Sequence, residues 1–304
     1  MANYAIELTG VRWRADKGFA IEDLNLHVPR GAIYGFLGPN GSGKTTTIRM
    51  ITGMTKPQAG QIRVLDGQVP KDLPAILARV GYVPERPHVY PGLTVDEALR
   101  FHAAFYPLWD RKWAEQMADK LGLPLDRKVG KMSKGETGKL LVLLALSQRP
   151  DLLILDEPTD GLDPVIRRDV MTAVLDYTSE QGATVFISSH LVHELERICD
   201  WVGVMDSGRL VAELPMQAFK NRIKRLRVAN APGTPADLPF VLLSRQAGDA
   251  LIGGETWIVR GWQEPMKHYF ADRGAQLRDV IDLDLEEGFV ELLRASRPNH
   301  RNGD

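Results

Sequence analysis

The chain is short of cysteine, of net charge and of long apolar runs, and each shortage removes a class of function. Cys199 is the only cysteine among 304 residues. No internal disulfide can form, a composition that suits a reducing cytoplasm, and the thiol reads as a small core hydrophobe. Lys and Arg number 38 against 39 Asp and Glu, a formal charge of −1. No basic tract exceeds a few residues, so the electrostatic footprint of a nucleic-acid binder is missing. No stretch approaches the roughly 18–20 apolar residues that cross a bilayer. The charged-then-apolar pattern of a secretory leader is also missing, so no signal peptide is expected. The length suits one large domain with a smaller one attached.

What is present is a phosphate loop. Gly38-Pro39-Asn40-Gly41-Ser42-Gly43-Lys44-Thr45 fits G-x-x-x-x-G-K-[ST], in which successive backbone N–H groups point at phosphate oxygens. Gly41 and Gly43 can take the positive-φ conformations that such a loop needs. Lys44 is a mobile charge for the outer phosphates, and Thr45 offers Mg²⁺ a hard oxygen. The apolar run from Ala32 to Leu37 predicts a buried strand before the loop. The run from Thr46 to Ile51 predicts a helix whose N-terminus faces the phosphates. These residues predict a nucleoside triphosphate site.

Leu152-Leu153-Ile154-Leu155-Asp156-Glu157 predicts an interior parallel strand ending in two carboxylates, at the end where open α/β sheets bind ligands. Asp156 suits Mg²⁺ held through its waters. Glu157 is left to take a proton from, or orient, a water attacking the γ-phosphate. Together with the loop, this predicts ATP hydrolysis.

The residues resemble the ATP-binding subunit of an ABC transporter, of exporter type, over about residues 4–215. Lys131-Met132-Ser133-Lys134-Gly135-Glu136 stands where that family carries its Leu-Ser-Gly-Gly-Gln signature. The resemblance implies an α/β P-loop fold of ABC ATPase type: a mixed sheet core with a helical insert at about 86–145. It also implies two subunits, identical or close paralogues, packed head to tail, each ATP lying between one subunit's phosphate loop and the other's signature. Ser133, Lys134, Gly135 and Glu136 would then complete the γ-phosphate cage, and Thr46 joins the loop's contacts. Asp163, in Thr159-Asp160-Gly161-Leu162-Asp163-Pro164, belongs to the segment that meets the partner subunit. His190 resembles the switch histidine that touches the γ-phosphate. Trp13 lies where the family stacks an aromatic on adenine, with Phe19 as the competing candidate. The remaining implied partner is an integral membrane permease on a separate chain, which would hold this subunit on the cytoplasmic face of the membrane.

Two positions depart from the family pattern. Glu85 replaces the usual Gln after Gly81-Tyr82-Val83-Pro84; its carboxylate can still serve Mg²⁺ but adds charge near the phosphates. Lys134 replaces the first signature glycine, a mark of exporter-type relatives. A soluble ABC-type ATPase that remodels a macromolecular complex is the competing reading. Such proteins usually carry two nucleotide modules, and this chain has one phosphate loop and one signature. A binding module without turnover is the third, and Glu157 argues against it.

Helical spacing from about 94 to 123 is interrupted by Pro107, and this insert is where the family also meets its membrane partner. After residue 215 the pattern predicts a small α/β accessory domain over 216–304. It opens on the basic segment 220–225 and continues through a loop at 231–235 and strands at 241–243 and 256–259 around a Gly253-Gly254 turn. A helix at 265–274, a strand at 277–283 and a closing helix at 285–295 complete it. Leu285-Glu286-Glu287-Gly288-Phe289 resembles an ending common in exporter ATPases.

Overall fold

Alternating apolar and polar residues open the chain with two antiparallel strands, β1 (Tyr4–Arg14) and β2 (Ala20–Pro29). The computed structural model describes residues 4–16, 18–86, 89–231, 237–247 and 254–296, with no side-chain description for 220–222. Next come β3 (Ile33–Leu37), α1 (Lys44–Ile51), β4 (Ala59–Val64), β5 (Gly67–Val69), α2 (Leu73–Leu77) and β6 (Val80–Val83). The insert supplies α3 (Val95–Ala103), α4 (Arg111–Lys120) and α5 (Lys134–Ser147). Then follow β7 (Leu152–Asp156), α6 (Pro164–Gln181), β8 (Thr184–Ser189), α7 (Val192–Leu195), β9 (Trp201–Asp206) and β10 (Arg209–Pro215). The last stretch is α8 (Met216–Arg222), β11 (Ile223–Ala229), β12 (Val241–Ala247), β13 (Glu255–Arg260), α9 (His268–Ala271), β14 (Gln276–Asp282) and α10 (Leu285–Ser296).

The strands make three sheets. The central one runs β10-β9-β3-β8-β7-β6 and is parallel except for β10. Every residue of β7 and β8 is buried, as a parallel strand covered on both faces requires. The antiparallel sheet β2-β1-β4-β5 packs its inner residues, among them Leu8, Leu24 and Ile62, with Phe36, Ile48 and Phe186 of the central layer. On the other side of the central sheet, α5 and α6 contribute Leu140, Leu143, Val170 and Val174 to the larger core.

Local signals start and stop the insert helices. Thr94 and Glu97 form a reciprocal capping box at α3, satisfying backbone donors that would otherwise lack partners. The chain leaves the helix before Pro107, and Asp110 caps α4 by accepting from Trp113 N–H.

The third sheet runs β12-β13-β11-β14, and β12, β13 and β14 fall on or beside the expected strands. The segment 220–225, read from sequence only as basic, holds the end of α8 and the start of a strand at Ile223 with neighbours on both sides. Residues 232–235 of the expected loop and Gly253 of the expected turn lie outside the described residues. One face of this sheet carries an aromatic cluster of Phe240, Trp257, Trp262 and Phe270. From the other direction, Ile223, Ile258, Leu285, Phe289 and Leu292 join the larger core of the preceding layers. The closing helix α10 touches α7, β9 and β10 as well as β12.

Candidate functional site

The phosphate loop leaves the C-terminal end of β3 and enters α1, with Gly41 at φ 79° and Gly43 at φ 112°. Both lie in the region that glycine occupies without strain. Gly43 is also closely packed: a Cβ there would come within 2.8 Å of Met205 Cε and 2.9 Å of Phe19 Cζ. Pro39, Asn40 and Ser42 line the turn between, and Thr45 and Thr46 follow Lys44 on the first turn of α1.

The buried Lys44 donates to Gly38 O at 2.7 Å and Pro39 O at 3.4 Å. Its Nζ also lies 3.1 Å from Glu157 Oε1, an ion pair without hydrogen-bond alignment. Pairing keeps both charges tolerable at this depth. Glu157 holds φ at 48°, uncommon for a residue with a side chain and a form of local strain that clusters at working sites. Its N–H donates to Ser188 Oγ at 3.0 Å, and its Oε2 lies 2.9 Å from His190 Nδ1.

Ser188 Oγ in turn donates to Asp156 Oδ1 at 2.7 Å, and Thr45 Oγ1 reaches the same oxygen at 3.3 Å. Burial holds the Asp156 carboxyl above the usual range. The bonds from Ser188 and Thr45 pull it down, while the negative charges of Glu85 and Glu157 push it up. Asp156 Oδ2 is buried with no hydrogen-bond partner, and so is Ser42 Oγ. Asp156, Thr45 and the exposed Glu85 line one cavity of about 580 Å³ with Arg49 and Tyr82. Among the described residues, no three His, Cys, Asp or Glu side chains converge as a metal cage. The side-chain donors at this cavity, the Thr45 hydroxyl and the Asp156 and Glu85 carboxylates, are hard oxygens that fit Mg²⁺ with much of its shell made of water and phosphate.

The second group of expected residues lies elsewhere. Ser133 caps α5: its Oγ accepts from Glu136 N–H at 3.1 Å, while Ser133 N–H donates to Glu136 Oε2 at 2.8 Å. The Glu136 N–H is thus engaged within its own helix. Lys134 Nζ is 3.6 Å from Asp160, and Ile166 Cδ1 fills the space that a Cβ on Gly135 would take. Asp163 caps α6, accepting from Val165 and Ile166 N–H. No hydrogen bond or ion pair among the described residues joins 133–136 to the phosphate loop of the same chain.

Trp13 and Phe19 lie 6.4 Å apart between ring centroids. Phe19 reaches the loop at Gly43. Trp13 lines a separate groove of about 840 Å³ with Arg12, Arg14, Gln58 and Arg209, to which no phosphate-loop residue contributes.

Sequence reasoning missed Ser188, which links Asp156 to Glu157. The signal lay in the pairing of β7 with β8, which sets Asp156 beside Ser188. It also missed Glu194, which accepts from Thr159 Oγ1 at 2.7 Å and pairs with Arg167.

The family model for ABC transporters matches residues 21–160. The bacitracin transport ATP-binding protein BcrA of Bacillus licheniformis is 39% identical over 208 residues, 68% of this chain and 68% of that protein. The Nod factor export ATP-binding protein I of Bradyrhizobium diazoefficiens is 34% identical over 261 residues, 84% of this chain and 85% of that protein. A solved ATP-binding subunit of an ABC transporter superposes with a TM-score of 0.65 at 27% identity, covering 71% of this chain and 92% of that one. With its phosphate loop facing Asp156 and Glu157 across the parallel strands, the chain belongs to the ATP-binding subunits of ABC transporters.

Proposed function

We propose that the chain hydrolyses ATP to drive a separate membrane permease, in the direction of export. The observation that carries this reading is the linked chain Lys44–Glu157–His190, running from buried Lys44 to the part-exposed His190, with Asp156–Ser188–Thr45 beside it. The loop amides and Lys44 bind the phosphates. Thr45 and Asp156, with Glu85 at the cavity edge, would hold Mg²⁺. When bound, the ion neutralises charge building on the transferring phosphoryl group.

Glu157 takes a proton from water as the water oxygen bonds to the γ-phosphorus and the bond to the bridging oxygen breaks, leaving ADP and phosphate. His190 orients Glu157 and faces the same phosphate. Trp13 is the base-side contact, with Phe19, which packs against the loop at Gly43, the competing candidate. Residues 133–136, which make no bond to their own phosphate loop among the described residues, and Asp163 serve the phosphate loop of a second subunit, identical or a paralogue. Residues 1–215 make the ATPase unit, its helical insert near 86–145, and 216–304 an accessory α/β unit.

The docking surface for the permease is the apolar face of the insert. Tyr90, Phe101, Phe105 and Leu108 are 63%, 43%, 65% and 62% exposed, and the three aromatic rings stack edge to face. Contiguous exposed apolar groups of this kind mark partner sites. Among the described residues no helix is long and apolar enough to cross a membrane, so membrane attachment would come through this partner, at the cytoplasmic face. Export is supported by the Nod factor relative.

The test is affinity purification of the tagged chain from detergent-solubilised membranes, followed by assay of Mg²⁺-dependent ATP hydrolysis. A polytopic membrane protein should copurify with the wild type and be lost from Phe105→Asp, with ATP hydrolysis by the purified subunit retained. Equal recovery with both proteins removes this face from docking. No hydrolysis by the wild type removes the enzymatic reading.

A further inference from the structure

The closing helix α10 is tied to the back of the phosphate loop along two routes. The first runs through the hairpin turn between β9 and β10. Ser296 Oγ, at the end of α10, lies 2.8 Å from both Asp206 Oδ2 and Leu293 O, so its one proton bridges the buried Asp206 carboxylate and the last turn of its own helix. Met205 and Gly208 flank Asp206 and form a wall behind the loop. Gly208 N–H donates to Ser42 O at 2.9 Å. A Cβ on Gly38 would come within 2.4 Å of Met205 O, and Thr47 Oγ1 lies 3.8 Å from Met205 Sδ. Ser207 and Gly208 both hold positive φ, at 48° and 80°, a tight turn that leaves the wall little freedom.

The second route runs through α7, which begins two residues after His190. Leu285, Phe289 and Leu292 of α10 share a core with Val192 and Leu195 of α7, and the two helices are in contact. Beneath them, a Cβ on Gly35 would meet Cys199 Sγ at 2.9 Å and Leu195 Cδ1 at 3.1 Å. Gly35 lies on β3, the strand that delivers the loop.

We propose that α10 is a brace for the nucleotide site: its docking holds the Met205–Gly208 wall and the α7 segment in place, so that ATP affinity depends on the position of the C-terminal unit. Ser296 is then a positioning residue, acting on the phosphates through Asp206 and the turn. This rests on the ATP-hydrolysing reading above. Coupling of this kind is reciprocal: if α10 tightens ATP binding, ATP must tighten the docking of α10. A C-terminal unit that moved on binding a partner would therefore tune the ATPase without touching its catalytic groups.

The experiment uses the full chain. Ser296→Ala should raise the KM and the Kd for ATP about fivefold, the lower end of ordinary site coupling, with kcat within about twofold. Ser296→Thr keeps the hydroxyl and should restore both. In Glu157→Gln protein, MgATP should slow amide exchange in α10 and at residues 205–208, and adding Ser296→Ala should remove that protection. A fall in Tm with KM, Kd and exchange unchanged gives Ser296 a purely structural role and overturns the brace. So does exchange in α10 that ignores ATP. An active wild type with an indifferent Ser296→Ala overturns this inference alone, whereas an inactive wild type overturns the ATPase reading itself.

Discussion

Glu157 is held by three separate constraints: a left-handed backbone, an N–H bond to Ser188 Oγ, and a carboxylate shared between Lys44 and His190. The first two survive Glu157→Gln, because the backbone and its N–H are unaltered. Of the third only one contact can, since the single amide oxygen accepts from His190 while the ion pair with Lys44 is lost, leaving Lys44 free for the phosphates. The chemistry loses its proton acceptor. We expect this variant to bind ATP as the wild type does and to hydrolyse it at least about 100-fold more slowly, the usual worth of a positioned base. Nucleotide binding by fluorescence and single-turnover hydrolysis check the two halves. Hydrolysis at the wild-type rate would falsify the base assignment. Lys44, Thr45, Asp156 and Glu157 were nameable from sequence because short motifs carry them, and His190 only through its place in the family resemblance. Ser188 was not, because its role comes from lying next to Asp156 on a neighbouring strand, a relation no local motif records.

Among the elements, legibility followed the range of the forces involved. The strand–loop–helix around residue 38 and the Pro107 break are local, and each could be read directly. The strand β11 could not, because Lys224, Arg225 and Arg227 look like a solvated basic run. In the fold their charges meet Asp282, Glu287 and Asp279, partners more than fifty residues away. The apolar contacts of α10 with α7 are distant in the same way, so the expectation of an accessory unit over 216–304 carried no word of how α10 seats against α7, β9 and β10. The start of α5 is a case where a local signal carries two meanings. Ser133 was read as a phosphate contact, and the structure also makes it one half of a capping box with Glu136. Ser133→Ala should therefore cost about 1 kcal/mol through the lost cap, visible as a fall in Tm of about 2–4 °C. Ser133→Asp retains an N-cap acceptor and should melt with the wild type. Equal Tm for all three proteins would mean that the cap adds nothing to the fold.

At the scale of the whole molecule, a stable Ser133→Asp protein isolates the question that one chain cannot answer alone: whose phosphates does residue 133 face? Its own phosphate loop makes no bond to 133–136 among the described residues, and the head-to-tail pair proposed above would supply the missing half in trans. Placing a carboxylate at 133 sets like charge against the γ-phosphate of the opposing subunit, so the Ser133→Asp homodimer should be nearly inactive. Glu157→Gln homodimers should be nearly inactive for a different reason, because the base is gone from each site. A mixed dimer has one site in which both faults coincide. Its other site takes Glu157 from the first protein and Ser133 from the second, and is intact. If subunits exchange freely and sites act independently, half of an equimolar mixture is mixed dimer with one working site in two, and activity returns to about a quarter of wild type. If residue 133 instead acts on its own chain's nucleotide, every subunit in the mixture carries a complete fault and no activity returns. Steady-state phosphate release from each variant alone and from the mixture, at equal total protein, separates the two arrangements. A mixture no more active than the sum of its parts excludes the composite site.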